Sequence, residues 1–276
     1  MIRTTIIRPL TSVIAAALVV ACAAEQAAPP PDATGPVPDL VENALKVPGF
    51  ADFLAVDGDR VWVTNDGRVE QWSPAGKRAS TAVPRPCGTM AIAAGSLWVA
   101  NCTGGEVWRI NLKTAAVEAK IATGLANAKG ETNVVAGAGA VWVPSDAAGK
   151  VARIDPATNA VTATITVAPQ TWYLAFGFDA LWAVSSEGKV LQKIDPATNS
   201  VVGTVALGDT PGFLAAGEGA VWVQEQGDGT VAKIDPASLT VAGRTKVGAA
   251  LKWGDIDTGG GAVWLRTTED QTLVVI

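Results

Sequence analysis

The chain contains no histidine, which leaves carboxylates, amides, cysteines and aromatic rings as the side chains able to do chemistry. Histidine is the commonest general base near neutral pH and a frequent zinc ligand. Its absence therefore removes Ser-His-Asp catalysis, Cys-His catalysis and most zinc sites. The remaining side chains suit two kinds of site: an aromatic surface that binds a ligand, or a set of oxygen ligands for Ca²⁺ or Mg²⁺.

The candidates for both kinds of site are found by counting from a repeated tryptophan. This residue recurs in nearly the same local sequence at Trp62, Trp98, Trp142, Trp182, Trp222 and Trp264. The positions nine residues before them are Phe53, Thr89, Asn133, Tyr173, Phe213 and Asp255. The next residue is apolar in every repeat, which indicates a core row, whereas this row varies. In a scaffold of equal repeats, we expect a specific site where the copies differ.

Two sets of residues near this row are candidate sites. An aromatic rim that binds a small ligand or an envelope protein would consist of Phe53, Trp172, Tyr173, Phe213 and Trp253. A Ca²⁺ or Mg²⁺ site would consist of Glu131, Asn133, Asp146 and Asp255. The alternative to both is that these loop side chains are solvated or cap strand ends. The six repeat tryptophans, identical in every unit, are expected to pack between units and not to bind a ligand.

Cys87 and Cys102 lie at equal distances from a turn at residues 94–95, and this spacing predicts a disulfide. Residues equidistant from a two-residue hairpin turn are cross-strand neighbours, and their Cα separation falls in the range that a disulfide spans. An oxidising compartment would favour the bridge. We therefore predict a Cys87–Cys102 bridge, with no catalytic or metal-binding role for either cysteine.

The repeat that positions these residues has a period of about 40 residues, which is typical of repeat architectures. Each unit alternates apolar, β-branched runs with Gly, Asp and Pro turns, as in residues 213–247, and this predicts four antiparallel strands. Six such units predict an all-β, six-bladed β-propeller over residues 40–276. The last unit reaches only its third strand, so we expect residues 41–47 to supply the fourth and close the ring. Seven blades is the alternative if residues 40–50 contain more structure.

Two sequence features resemble known propeller repeats. The sequences VWVTN at 61–65 and LWVAN at 97–101 resemble the YVTN-type repeat. The segment KVARIDPATNAVTATITV at 150–167 is similar to repeats of that family and of streptogramin (virginiamycin B) lyase-like propellers. The resemblance spans residues 50–276 and implies the fold. Lyases of that family use a histidine base with bound magnesium, so this chain is not expected to carry out their reaction in that form.

The first 39 residues have the features of an export signal and a tether. Within residues 1–21, Arg3 and Arg8 precede an apolar stretch at 10–21 that is too short to span a membrane comfortably. Cys22 follows directly, as in bacterial lipoproteins, and we predict that it is lipidated. An ordinary signal cleaved after Ala21 or Ala24 is the alternative. Residues 22–39, rich in Pro and Ala, are expected to form a semi-rigid tether.

Composition and charge narrow the expected partners. The net charge is −5 and no basic cluster occurs, so nucleic acid is not an expected partner. Membrane contact is expected only through the N-terminal lipid. The sequence favours a non-enzymatic binding or scaffold module in the cell envelope, with a small ligand or an envelope protein at its loop face. The alternative is a hydrolase or lyase that uses carboxylates and Ca²⁺ or Mg²⁺; no other cofactor is expected.

Overall fold

A computed structural model describes residues 44–251, 254–266 and 273–276, and within these ranges every regular element is a β-strand. Six antiparallel sheets follow one another along the chain, and in each sheet the strands pair in sequence order. These sheets are the blades of a six-bladed β-propeller. The all-β propeller fold predicted from the repeat is therefore confirmed, with six blades and not seven.

Blades 2 and 3 are each preceded by an additional short strand, whereas blade 1, in the described part of the chain, is not. Blade 1 contains β1 (Leu54–Asp57), β2 (Arg60–Asn65), β3 (Arg68–Ser73) and β4 (Gly76–Ala82). After β5 (Gly88–Thr89), blade 2 contains β6 (Ala91–Ala93), β7 (Ser96–Asn101), β8 (Glu106–Asn111) and β9 (Val117–Ala122). After β10 (Thr132–Asn133), blade 3 contains β11 (Val135–Gly137), β12 (Ala140–Asp146), β13 (Lys150–Asp155) and β14 (Ala160–Thr166). β5 and β10 pair in parallel and connect blades 2 and 3.

The last three blades have longer first strands. Blade 4 contains β15 (Thr171–Gly177), β16 (Ala180–Ser185), β17 (Val190–Asp195) and β18 (Ser200–Ala206). Blade 5 contains β19 (Pro211–Gly217), β20 (Ala220–Glu225), β21 (Thr230–Asp235) and β22 (Thr240–Lys246). Blade 6 contains β23 (Asp255–Gly259), β24 (Ala262–Arg266) and β25 (Leu273–Val275) in the part of the chain that the structure describes.

The Asp-Pro-Ala turns between third and fourth strands form for local chemical reasons. Asp155 Oδ1 accepts a hydrogen bond from the backbone N–H of Ala157 at 2.8 Å. Asn159 then adopts a φ of +56°, a left-handed conformation that asparagine tolerates better than most residues. Asp195 caps the corresponding turn of blade 4 in the same way. In blades 3, 4 and 5 these turns mark where the third strand ends and the fourth begins.

Five of the six repeat tryptophans pack between blades, as their identity in all units predicts, and among the described residues Trp264 is the exception. Trp62, Trp142 and Trp182 are fully buried. Trp62 lies in one apolar cluster with Leu97 of blade 2, and Trp142 in another with Leu181 of blade 4. Each ring therefore fills the space between its own blade and the next, which sets the angle between blades.

A second contact between blades accompanies these tryptophans, and we call it the latch. In blades 2 to 5, the third-strand residue that pairs with the repeat tryptophan is an arginine or a lysine. Its charged group lies over the indole ring. For Arg109 over Trp98, the distance to the ring centroid is 5.2 Å. Arg109 Nη1 also donates to Asn159 Oδ1 at 2.8 Å in the next blade. Lys193 Nζ donates to the Pro236 carbonyl oxygen of blade 5 at 2.9 Å. The latch thus joins one blade to the turn of its neighbour.

The predicted fourth strand of blade 6 is not found among the described residues. Residues 44–47 belong to no sheet, and residues 41–43 lie outside the described residues. The segment is held by blade 1 instead, because the Pro48 carbonyl oxygen accepts hydrogen bonds from Asn65 Nδ2 at 2.9 Å and Arg68 Nη2 at 2.8 Å. On the face of blade 6 opposite blade 5, Trp264 is 40% exposed.

Leu45 and Val47 still occupy the packing position that the missing strand would have. They line a cavity of about 340 Å³ together with Val61, Val63 and Trp72 of blade 1. The corresponding residues of blade 3 cluster with Ile121, on the fourth strand of blade 2. They are Val141, Val143 and Ile154. The N-terminal segment therefore contributes apolar contacts at this junction without contributing strand hydrogen bonds.

Candidate functional site

A cavity of about 560 Å³ is lined mainly by the first strands of the blades. All six positions counted back from the repeat tryptophans line it, as the register predicts: Phe53, Thr89, Asn133, Tyr173, Phe213 and Asp255. We call it the mouth cavity. The following apolar row is buried at Met90, Val134, Leu174 and Leu214, whereas Leu54 is 61% exposed on the face of blade 1 that does not pack against blade 2.

One wall of the mouth cavity is an aromatic pair. The rings of Tyr173 and Phe213 have centroids 3.9 Å apart and are tilted by 31°. Gly254 makes room for the pair, because a Cβ at that position would overlap the Phe213 ring. Burial raises the pKa of the Tyr173 hydroxyl, and the nearby charge of Glu131 raises that pKa further. Phe53 lines the same cavity from blade 1.

A fourth residue of the predicted aromatic rim, Trp172, does not join this wall. Trp172 lines a separate groove of about 340 Å³ between blades 4 and 5, which also contains Glu187 and Gln226. The indole nitrogen of Trp172 is buried and has no hydrogen-bond partner within the described ranges. Trp253 lies outside the described residues. The structure therefore brings together three of the five predicted rim residues.

Carboxylates lie beside the aromatic wall. Glu131 and Asp255 line the mouth cavity, and Asp52 lines an adjoining groove that it shares with Phe53 and Glu131. Burial raises the pKa of Glu131, and the charges of Asp52 and Asp255 raise it further. Burial likewise raises the pKa of Asp52, with Asp255 contributing. The charges of Asp52 and Asp255 thus oppose the ionisation of Glu131.

The four residues of the predicted metal set do not all meet, because Glu131, Asn133 and Asp255 line the mouth cavity and Asp146 does not. Both ends of the Asn133 side-chain amide bond to Leu174, since Oδ1 accepts from the Leu174 N–H at 2.8 Å and Nδ2 donates to the Leu174 carbonyl. Asp146 caps a turn at the Ala148 N–H at 2.8 Å and does not line the cavity. Among the described residues, no group of three or more Asp, Glu or Cys side chains is spaced to hold a metal ion.

The disulfide between Cys87 and Cys102 is present, with a Cα–Cα distance of 5.9 Å. The backbone around the disulfide differs from the prediction, because Pro86 pairs with Asn101. The hairpin register therefore shifts between β6 and the Pro86–Asn101 pair. Cys87 N–H therefore donates to Ala100, and Cys102 N–H to Arg85. The shift arises where β5 leaves the hairpin to pair with β10.

Three charged residues at or beside the mouth cavity were not predicted from the sequence: Asp257 and Arg266 line the cavity, and Asp52 lines the adjoining groove. Asp52 directly precedes the varying row, and Arg266 lies opposite Asp255 in the β23–β24 hairpin. Arg266 Nη1 lies 3.6 Å from Asp255 Oδ2. The signal for Arg266 is present in the sequence: it stands two residues after Trp264, where the other repeats have Thr, Ala, Pro, Val and Gln.

Comparisons with known proteins identify the fold. No protein-family model and no curated protein sequence matches the chain. A structure of streptogramin B lyase is similar at a TM-score of 0.65 and 14% identity, covering 84% of this chain and 85% of that one. The crystal structure of BamB from Moraxella catarrhalis is similar at a TM-score of 0.60 and 16% identity, covering 80% and 67%. The computationally designed Ika8 protein gives 0.61 and 14%, covering 82% and 70%. At these identities the likeness concerns the fold alone.

No helix in the described ranges is long and apolar enough to cross a membrane.

Proposed function

We propose that this protein is a non-enzymatic binding module of the cell envelope that takes a ligand in its mouth cavity. The observation that supports this function most directly is the Tyr173–Phe213 pair on the wall of a cavity of about 560 Å³. A concave site with aromatic walls and a few polar groups is typical of ligand binding. The chain lacks histidine and Asn133 hydrogen-bonds to Leu174, and both observations favour binding over the alternative of carboxylate and metal chemistry.

The proposal includes export and anchoring through the N-terminus. Residues 1–21 would be the signal peptide, Cys22 the lipidated residue, and residues 22–39 the tether to the propeller. The Cys87–Cys102 disulfide supports an oxidising compartment. Replacing Cys22 with Ser is expected to move the protein from the membrane fraction to the soluble fraction. Equal membrane association of Cys22→Ser and wild type would contradict lipid anchoring.

The binding function can be tested with a single reporter, because Tyr173 is the only tyrosine in the sequence. Protein labelled with carbon-13 at tyrosine gives one set of NMR signals from the Tyr173 ring, which lines the mouth cavity. We expect fractions of the producing cell's low-molecular-mass extract, or its solubilised envelope proteins, to shift these signals. Mass spectrometry of the active fraction then identifies the ligand.

Two variants make this test specific. Phe213→Leu removes the partner ring and is expected to weaken binding of the active fraction by at least tenfold. Phe178→Leu changes a phenylalanine that is 41% exposed in the β15–β16 turn, away from the cavity, and is expected to leave binding unchanged. If no fraction shifts the Tyr173 signals, or if the two variants behave alike, the binding function is wrong.

A further inference from the structure

We propose that the mouth cavity recognises an organic cation, an ammonium or guanidinium group, placed between the Tyr173–Phe213 pair and the carboxylates beside it. This inference rests on the proposed binding function and assigns a chemical class to its ligand. It follows from three features: the aromatic wall of the cavity, its balance of charges, and two carboxylates that have no partner among the described residues, Glu131 in the cavity and Asp52 in the adjoining groove.

The aromatic wall presents the surface that an organic cation prefers. The face of an aromatic ring carries partial negative charge and attracts a cation within about 6 Å of its centroid. Within the same protein, Lys120 Nζ lies 3.9 Å from the centroid of Trp108. At the mouth cavity no described lysine or arginine is placed in this way over Tyr173 or Phe213, so the pair is not already used by a cation of the described chain.

The charges that line the cavity favour a positive ligand. The described lining residues include three carboxylates and one guanidinium, namely Glu131, Asp255, Asp257 and Arg266. Arg266 is paired with Asp255, and both side chains are more than half exposed. A cation entering the cavity would therefore reduce an existing repulsion, whereas an anion would add to it.

Two of the carboxylates have no partner of their own. Among the described residues, the side-chain oxygens of Glu131 and Asp52 take part in no hydrogen bond or ion pair, in contrast to Glu70, Glu225 and Glu118, which each have an arginine or lysine partner. Glu131 lines the same cavity as Tyr173 and Phe213, and its charge raises the pKa of the Tyr173 hydroxyl. An aromatic pair and a carboxylate without a described partner, lining one cavity, are complementary to an ammonium group.

The test compares two probes of the same shape, choline and its carbon isostere, in which a tert-butyl group replaces the trimethylammonium group. Isothermal calorimetry on the full protein measures both dissociation constants. We expect choline to bind about tenfold more tightly than the isostere, since a cation–π contact with a nearby carboxylate is worth about that factor. Glu131→Gln is expected to reduce this preference to about twofold or less.

Control variants separate a local charge effect from a general one. Glu187→Gln removes a carboxylate that lines the neighbouring groove and not the mouth cavity, and the preference for choline is expected to persist. Phe213→Leu is expected to weaken choline binding several-fold while the melting temperature changes little. If Glu187→Gln and Glu131→Gln lower the preference equally, the carboxylate of the cavity is not the recognition group and the inference is wrong.

The remaining outcomes distinguish this inference from the function on which it rests. Equal affinity for choline and the isostere would overturn the assignment of a cation, while the binding function would stand. Failure of both probes to bind would also overturn the cation assignment. The binding function itself is contradicted by separate results, namely that no cell fraction shifts the Tyr173 signals or that Phe213→Leu and Phe178→Leu behave alike.

Discussion

Glu70 lies on β3 with its side chain fully buried, and replacing it with Gln removes a charge that the fold compensates at several points. Its carboxylate is 2.8 Å from Arg68 Nε and 3.1 Å from Lys77 Nζ, and it accepts a hydrogen bond from Trp72 Nε1 at 3.2 Å. These donors outweigh the effect of burial and lower the pKa of Glu70 from 4.5 to about 2. The folded state therefore stabilises the ionised form.

The expected magnitude follows from this lowered pKa. One pKa unit corresponds to about 1.4 kcal/mol, so the change from 4.5 to about 2 corresponds to about 3 kcal/mol of unfolding free energy. Arg68 and Lys77 are 30% and 48% exposed, so water solvates them when the carboxylate is removed. We therefore expect Glu70→Gln to lower the unfolding free energy at pH 7 by about 2 kcal/mol.

The pH dependence gives the sharper test. A carboxylate with a lowered folded pKa contributes stability that is present above its unfolded pKa of 4.5 and is lost as the pH falls toward 2. At pH 3 the contribution is about two-fifths of its value at pH 7. Urea unfolding of wild type and Glu70→Gln at both pH values measures the difference. The control is Asp59→Asn, whose side chain is 84% exposed and lies 3.7 Å from Arg60.

Two results would refute this reasoning about Glu70. One is a difference between wild type and Glu70→Gln that is the same at pH 3 and pH 7. The other is an effect at pH 7 no larger than that of Asp59→Asn, for which we expect less than about 0.5 kcal/mol.

Three further perturbations test the contacts that hold the ring. Replacing Cys87 and Cys102 with Ser opens a loop with a sequence separation of 15 and is expected to cost about 3 kcal/mol in urea unfolding; an unchanged midpoint would show that the bridge does not stabilise the fold. Arg109→Ala removes a latch and is expected to lower the unfolding free energy by about 2 kcal/mol in the same assay. Lys113→Ala, on the adjacent exposed turn, should lower it by less than about 0.5 kcal/mol, and equal losses would contradict the latch. Leu45→Asp is expected to lower thermal stability by about 1–2 kcal/mol compared with Lys46→Asp, and equal melting curves would mean that the N-terminal segment does not pack on blade 1.

The fold and the mouth register were predictable because the repeats repeat their geometry as well as their sequence. The tryptophans of blades 1 to 5 meet similar surroundings between two blades, and counting back nine residues from all six tryptophans reaches the mouth cavity. Local turn chemistry agrees with this pattern, as the capped Asp155 turn shows. Where every unit carries the same signal, one sequence is enough to position the residues that differ.

The predicted sites departed from the structure where strands depart from regular pairing. The register of blade 4 shifts between Thr171 and Tyr173, so Trp172 points to a different groove from its neighbour. The register of blade 3 shifts between Pro144 and Asp146, at the turn that Asp146 caps. A bulge re-aims one side chain relative to the next, and nothing in the repeat pattern marks its position. The closing segment illustrates a second limit, since Pro48 is bound by Asn65 and Arg68, which a count of strands does not anticipate.

We propose that the mouth cavity binds a cationic ligand against the Tyr173–Phe213 pair. Because Tyr173 is the single tyrosine of the sequence, this contact can be measured directly. The measurement is the nuclear Overhauser effect between the trimethylammonium protons of bound choline and the ring protons of Tyr173. We expect a strong effect in the wild type and in Glu187→Gln, and a much weaker one in Glu131→Gln. Choline that binds without any effect on the Tyr173 ring would contradict the claim.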